Sequence, residues 1–143
     1  MNKKRYKNSF REIVLEYINN LLGNVLLRSE LNDLGEPRQL SRALKALLED
    51  GSLVKLGYGV CAKAVKSPYT GRTIIQAGFT DACAEALTKL GVDWEVGQAI
   101  RDYNEGKTTQ VPVKFTVKLK SRMRRKFSYG KQKLKFEDGI YAR

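Results

Sequence analysis

The chain has 143 residues, which is enough for one compact domain or two very small ones. It carries 27 lysines and arginines against 15 acidic residues, a net charge of +12, and it has no histidine. The absence of histidine excludes a Ser-His-Asp triad, a Cys-His pair and an HExxH zinc site. The charge favours a polyanionic partner, with nucleic acid first and an anionic membrane surface second.

Other function classes are excluded by missing motifs. Cys61 and Cys83 have no CxxC spacing and lie in apolar patterns, so we expect reduced core residues. No apolar run approaches the ~20 residues of a membrane span, and no signal-peptide h-region follows the basic N-terminus. Neither a GxxxxGK[ST] loop nor a GxGxxG motif occurs. We therefore expect a cytoplasmic protein that is not an enzyme, with no membrane, cofactor or metal.

The first predicted elements follow a short basic tail. Ser9 begins a capping box, and apolar residues then repeat at helical spacing until Gly23. Val25-Leu26-Leu27 is a short apolar run, which predicts a small strand that pairs with a later hairpin. Ser29 is predicted to be the N-cap of a brief helix that ends at Leu34.

Residues 37–63 carry the strongest pattern in the chain. A helix is predicted from Pro37 to the residue before Gly51, with a buried stripe of Leu40, Leu44, Leu47 and Leu48. Its other face carries side chains that can donate hydrogen bonds to base edges or phosphates, namely Arg38, Gln39, Ser41, Arg42 and Lys45. Gly57-Tyr58-Gly59, between two apolar segments, then predicts a tight hairpin.

This order of elements, with short connections, is typical of a winged helix-turn-helix. In that geometry the helix from Pro37 lies in the major groove, and the hairpin tip reaches the neighbouring backbone or minor groove. The residues expected to contact bases are Arg38, Gln39, Ser41 and Arg42. The residues expected to contact the DNA backbone are Lys45, Lys55, Tyr58 and Lys63, with Ser29 placing a helix N-terminus near a phosphate.

The second half is predicted to form a separate small domain. Turn residues over 66–76 are typical of a linker, which divides the chain into a winged helix (1–66) and an α+β domain (67–143). That domain is expected to contain helices over 79–90 and 93–104. It should also contain a three-stranded antiparallel sheet, built from a strand over 111–119 and a hairpin across Gly130-Lys131.

A second basic patch lies on this predicted sheet. Ten lysines and arginines and no acidic residue occur between Lys114 and Lys135. The residues assigned to the patch are Lys114, Lys118, Lys120, Arg122, Arg124, Arg125 and Lys126. Such a patch suits either a second nucleic-acid contact, to DNA backbone or RNA, or an acidic protein partner.

Two segments resemble a known family. Residues 25–64, VLLRSELNDLGEPRQLSRALKALLEDGSLVKLGYGVCAKA, resemble the winged-helix N-terminus of AbiE-type antitoxins of type IV toxin–antitoxin systems, as does the SPYTG that follows. Residues 108–136, TTQVPVKFTVKLKSRMRRKFSYGKQKLKF, resemble the C-terminal strands of antitoxin-like regulators. The resemblance implies a bacterial or mobile-element regulator with a partner toxin encoded nearby.

We therefore expect a sequence-specific regulator that binds double-stranded DNA, an antitoxin-like transcriptional repressor of its own operon. The first alternative is a protein-interaction module, in which the winged helix is a scaffold and the basic strands bind an acidic partner such as a toxin. An RNA-binding protein comes next and a metal-dependent nuclease last. The basic helix face also has a plainer interpretation, as a solvated surface held by pairs such as Lys45–Glu49.

Overall fold

The computed structural model describes residues 9–111, 116–120 and 126–136. Its helices are α1 (Ser9–Asn20), a 3-10 helix (Arg28–Leu34), α2 (Pro37–Glu49), α3 (Phe79–Lys89) and α4 (Gln98–Asn104). Its strands are β1 (Val25–Leu27), β2 (Leu53–Gly57), β3 (Val60–Lys66), β4 (Thr73–Ile75), β5 (Trp94–Val96), β6 (Thr116–Leu119), β7 (Ser128–Tyr129), β8 (Gln132–Lys133) and β9 (Lys135–Phe136). The described chain is mixed α+β, and none of its helices is long and apolar enough to cross a membrane.

The fold is built on a four-stranded antiparallel sheet with β3 as its central strand. Ala62 of β3 pairs with Val54 of β2 on one side and with Val25 of β1 on the other. Beyond β1, the same strand pairs with β4, where Ala64 lies opposite Ile75. The predicted pairing of a short first strand with the later hairpin is therefore confirmed.

This sheet separates two apolar clusters because successive strand residues point to opposite faces. The helix-side cluster joins one face, with Leu26 and Leu53, to α1, the 3-10 helix and α2. The α3-side cluster joins the other face, with Val54 and Leu56, to α3, β6 and the C-terminal segment. The described elements that carry candidate functional residues thus belong to this sheet or pack against it.

Helix α2 has the amphipathic form that its sequence predicts. Its buried residues are Leu40, Ala43, Leu44 and Leu47, and Leu48 is only half-buried. Pro37 is its first residue, and Gly51 follows its end with a φ of +84°, a conformation that favours glycine. The N–H of Ser52 closes the helix by donating to the Leu47 carbonyl at 3.0 Å, as in a Schellman motif.

The hairpin prediction is confirmed, but Ser29 is not the N-cap that the sequence predicts. Strands β2 and β3 meet in a two-residue turn, with Gly57 opposite Val60 and Gly59 at a φ of +68°. The 3-10 helix begins two residues earlier than expected, at Arg28, after an extended Leu27 and without a side-chain cap. Ser29 is therefore an exposed residue in the first turn and does not cap it.

The segment predicted as a linker forms a second hairpin. Ser67 accepts a hydrogen bond from the N–H of Tyr69 at 3.2 Å, and its own N–H donates to the Arg72 carbonyl at 2.8 Å. This turn returns the chain along β3 as β4. The α3-side cluster combines residues on both sides of the boundary predicted between residues 66 and 67.

In the second half, α3 matches its prediction and the following helix does not. Helix α3 ends at Lys89, and the predicted glycine, Gly91, follows its C-cap with a φ of +74°. The N–H of Val92 then donates to the Leu87 carbonyl at 3.0 Å. Residues 94–96, expected within a helix, form β5 and pair with β6, where Trp94 lies opposite Leu119. Trp94 and Val96, at alternate positions, suit a strand, and pairing with the distant β6 favours a strand over a helix here.

The predicted C-terminal sheet differs in topology. Strand β6 pairs with β5 and, in parallel, with β9, whereas β7 and β8 form a separate hairpin across Gly130-Lys131. The predicted alternation is confirmed in β6, because Val117 and Leu119 are buried while Lys118 is exposed. Val111 is exposed and lies in no strand, and 112–115 fall outside the described residues.

Candidate nucleic-acid interface

The outward face of α2 presents all five residues that the sequence singled out. The side chains of Arg38, Gln39, Ser41, Arg42 and Lys45 are all exposed. No ion pair among the described residues involves its three cations, and the first turn of the helix contains no acidic residue. The tethering pair Lys45–Glu49 is thus absent from that part of the chain, and the charges face solvent.

These residues form a stripe that lies opposite the buried leucines. At 100° per residue, Arg38, Arg42 and Lys45 fall on one side of the helix, with Gln39 and Ser41 at its margins. From residue 38 to residue 45 the stripe runs about 10 Å along the axis at 1.5 Å per residue. Two helical turns of cationic and hydrogen-bonding side chains are therefore presented as one surface.

The turn between β2 and β3 presents an aromatic side chain at its tip. Tyr58 is 81% exposed, although it follows a strand whose apolar residues are buried. Lys55 is exposed on β2, just before a shift of register that twists the end of this strand. The hairpin tip therefore offers an aromatic ring and a nearby cation to solvent.

Arg28 connects this hairpin tip to α2. Its backbone N–H donates to the Gly59 carbonyl at 2.8 Å. Its guanidinium donates from Nη2 to the Pro37 carbonyl and from Nη1 to Oδ1 of Asn32, each at 3.3 Å. The hairpin tip and the start of α2 consequently lie at the same end of the molecule. No sequence motif marks Arg28, so its role is visible only in the structure.

Lys63 and Ser29, both predicted to lie at the DNA backbone, differ in their exposure. Lys63 is half-buried, and its ammonium donates to the Leu21 carbonyl at 3.0 Å, just beyond the C-terminal end of α1. A cation suits this position because helix C-termini carry partial negative charge. Lys63 therefore already has a protein acceptor. Ser29 is exposed beside Arg28, at the hairpin-tip end.

The other end of α2 is fixed to α1. The guanidinium of Arg11 forms an ion pair with the carboxylate of Asp50, the residue that caps α2. The other oxygen of this carboxylate accepts the N–H of Ser52 at 2.9 Å. Hydrogen bonds from the side chain and the backbone N–H of Ser52, together with the guanidinium of Arg11, lower the pKa of Asp50. Helix α2 is thus held at both ends, by Arg28 and by Arg11.

The predicted second basic patch is described only in part. Lys118, Lys120 and Lys126 are exposed, and Lys120 pairs with Glu95 at 3.5 Å. The remaining members, Lys114, Arg122, Arg124 and Arg125, lie outside the described residues. A Cβ at Gly57 would lie 2.6 Å from the Lys126 carbonyl oxygen, so only glycine lets this segment lie against the end of β2. Lys126 is thus brought beside the hairpin.

Helix α3 holds the strand that leads to Arg28. The carboxylate of Glu85 accepts the N–H groups of Asn24 and Val25, and Lys89 donates to the Val25 carbonyl at 2.8 Å. Lys89 also pairs with Glu30 of the 3-10 helix at 2.5 Å. In sequence, Glu85 and Lys89 resemble an ordinary surface pair four residues apart, so their role was not foreseen.

The cysteines of the described residues are not paired, and the carboxylates do not cluster as metal ligands. Cys83 is buried, Cys61 is half-buried, and both are reduced, as predicted. Burial raises the pKa of the Cys83 thiol to about 12, which makes it unreactive. Among residues 9–111, 116–120 and 126–136, no group of three or more Cys, Asp or Glu side chains could hold a metal ion.

Comparisons with family models, curated proteins and solved structures find no match for this chain. The resemblance to AbiE-type antitoxins therefore stays a prediction, carried by residues 25–64 and 108–136.

Proposed function

We propose that this chain is a sequence-specific protein that binds double-stranded DNA through a winged helix-turn-helix, with α2 as the recognition helix and the β2–β3 hairpin as the wing. One observation carries the proposal: the exposed face of α2, whose cations form no ion pair with described residues, is joined through Arg28 to an exposed aromatic hairpin tip.

The dimensions and chemistry of α2 fit the major groove. Its 13 residues span about 20 Å, and a groove about 12 Å wide admits an α-helix. Arg38 and Arg42 can each donate two hydrogen bonds to a guanine, and Gln39 can bind an adenine in the same bidentate way. Ser41 can bond to either base, and Lys45, farther along the helix, reaches a phosphate.

The wing supplies contacts that depend less on sequence. Tyr58 at its tip and Lys55 on β2 are exposed and can approach the sugar–phosphate backbone or the minor groove. Lys126 lies against the same hairpin and adds a cation there. The net charge of +12 gives the chain a general attraction to the duplex.

A protein that reads bases without performing chemistry acts by occupying its site. We therefore propose transcriptional repression, with the operator in the promoter of its own operon, as in the antitoxins that segments 25–64 and 108–136 resemble. A toxin partner encoded nearby follows from that resemblance alone. The proposal requires no cofactor.

The experiment that tests this function is a competition titration. It compares a labelled duplex from the region upstream of the chain's own coding sequence with random duplex, single-stranded DNA and RNA of equal length. We expect preference for the upstream duplex, and affinity that falls with salt at a log–log slope of about −0.9 per phosphate neutralised. Equal binding of all four probes, or no binding at low salt, would overturn the proposal.

A second candidate function, binding of an acidic protein, is favoured by a different surface. Val65 and Ile74 are an exposed apolar pair across β3 and β4, and Tyr69 at the turn of this hairpin is 94% exposed. Lys66, exposed beside them, would complement an acidic partner. If this surface is the functional one, replacing Val65 and Ile74 with serine abolishes binding of the acidic protein and leaves duplex binding unchanged.

A further inference from the structure

Arg28 joins three elements of the proposed DNA-binding unit. Its backbone N–H donates to Gly59 in the wing turn, and its side chain donates to Asn32 in the 3-10 helix and to Pro37 at the start of α2. The two side-chain bonds leave from the two terminal nitrogens of one guanidinium. A planar, rigid fork can hold two acceptors in a fixed relation, which an ammonium on a flexible stem does not do.

The two side-chain acceptors belong to different elements, the 3-10 helix and α2. Asn32 and Pro37 lie on either side of the turn at Gly35, and the N-cap residue of α2, Glu36, makes no side-chain cap hydrogen bond. The N-terminal end of α2 therefore depends on Arg28 for a side-chain attachment, whereas its C-terminal end has Arg11 and Asp50.

We infer that Arg28 is a positioning residue, which sets the separation between the recognition helix and the wing so that both engage one duplex at once. This inference rests on the proposed function. Its physical basis is preorganisation: two contacts held at the correct spacing bind together without a further ordering cost. Without the fork, α2 and the wing keep all their own contact residues and bind DNA less cooperatively.

The test compares three variants by the competition titration described above, at one salt concentration. Arg28→Lys keeps the charge and removes the fork, and Arg28→Met removes both. Arg72→Met is the matched control, because Arg72 is exposed in the β3–β4 turn and its side chain makes no bond to α2 or the wing within the described residues. Thermal melts monitored by circular dichroism establish that each variant is folded.

We expect Arg28→Lys to lose about tenfold in preference for the upstream duplex, the effect of one charge-assisted hydrogen bond. Arg28→Met should lose at least as much, whereas Arg72→Met should weaken both duplexes alike. A double-mutant cycle gives a second readout. Tyr58→Ala and Arg42→Ala should be energetically coupled in the parent protein and additive in the Arg28→Lys background.

Amide hydrogen exchange on the protein without DNA gives a third readout. Faster exchange at the amide of residue 28, which donates to Gly59, and at the amide of Leu40, which donates to Glu36 in the first turn of α2, supports the positioning role if it occurs in Arg28→Lys and not in Arg72→Met. The positioning role would be overturned if Arg28→Lys kept the parental preference for the upstream duplex and the parental coupling between Tyr58 and Arg42. Equal losses of preference in Arg28→Met and Arg72→Met would also overturn it, because they would show that only the positive charge matters. If the parent protein prefers no duplex, the proposed function fails and the inference fails with it, whatever the exchange shows.

Discussion

Glu85 on α3 accepts the backbone N–H of Val25 at 2.6 Å, across 60 residues of sequence. Both of its oxygens also accept the N–H of Asn24, each at 2.9 Å. The carboxylate occupies the place that a side chain at Gly23 would fill, since a Cβ there would lie 2.5 Å from Oε2. Helix α3 is therefore an integral support of β1, and of the 3-10 helix that begins at Arg28.

Glu85→Ala should lower the free energy of unfolding by about 1–3 kcal/mol, because it leaves two partly buried N–H groups without their acceptor. Urea denaturation measures the change. The matched control is Glu16→Ala, since Glu16 is exposed on α1 and should change stability by no more than about 0.5 kcal/mol. Equal effects of the two substitutions would contradict the role given to Glu85.

A fragment containing residues 1–66 should not fold independently. Val54, Leu56 and Val60 are buried in the α3-side cluster and would lose their cover without α3 and the C-terminal segment. Circular dichroism of the fragment should show no cooperative thermal transition, whereas the full chain should show one. A cooperative melt of the fragment would instead support the two-domain division predicted from the sequence.

Leu47→Ala should destabilise the chain by roughly 2–5 kcal/mol, because Leu47 is fully buried between α2, α1 and the sheet. Arg42→Ala on the opposite face should leave stability nearly unchanged, since its side chain is exposed. Denaturant midpoints of both variants check the prediction. A larger loss of stability in Arg42→Ala than in Leu47→Ala would mean that the leucine face of α2 is exposed and the arginine face is buried.

Cys83 should make stability fall at alkaline pH. Burial raises the pKa of its thiol to about 12 from an ordinary value near 9, so between these values the thiol ionises in the unfolded chain and stays neutral in the folded one. The unfolded state is therefore favoured as pH rises through this range. Urea denaturation between pH 8 and pH 10 should show a smaller loss in Cys83→Ala than in the parent, and equal losses would contradict the prediction.

Local patterns determine the elements that could be predicted from the sequence. Helix α2 follows from leucines at helical spacing between Pro37 and Gly51, and the β2–β3 hairpin follows from a glycine-flanked turn between apolar runs. The exposed positions of Arg38 and Arg42 follow from the same spacing, because residues opposite a buried stripe must face solvent. These features need no knowledge of the rest of the chain.

Long-range pairing determines the elements that were missed. The turn residues near Gly71 are equally compatible with a linker and with a hairpin, and the pairing of β4 with β3 decides between them. Likewise β5 becomes a strand because β6 lies beside it, and β9 pairs in parallel with a strand 19 residues earlier. Glu85 contacts residues about 60 positions away, and Arg28 bonds both to nearby Asn32 and Pro37 and to distant Gly59, so no local spacing marks either role.

The measurement that tests the central claim most directly is the competition between upstream and random duplex for two variants at one salt concentration. Arg42→Ala should abolish the preference for the upstream duplex and keep much of the affinity for random DNA, since a bidentate arginine is worth about 1–3 kcal/mol of discrimination. The double variant Lys118→Ala with Lys120→Ala should weaken both duplexes alike or leave them unchanged. Full preference in Arg42→Ala, with loss of preference in the strand variant, would contradict the claim that α2 reads the DNA.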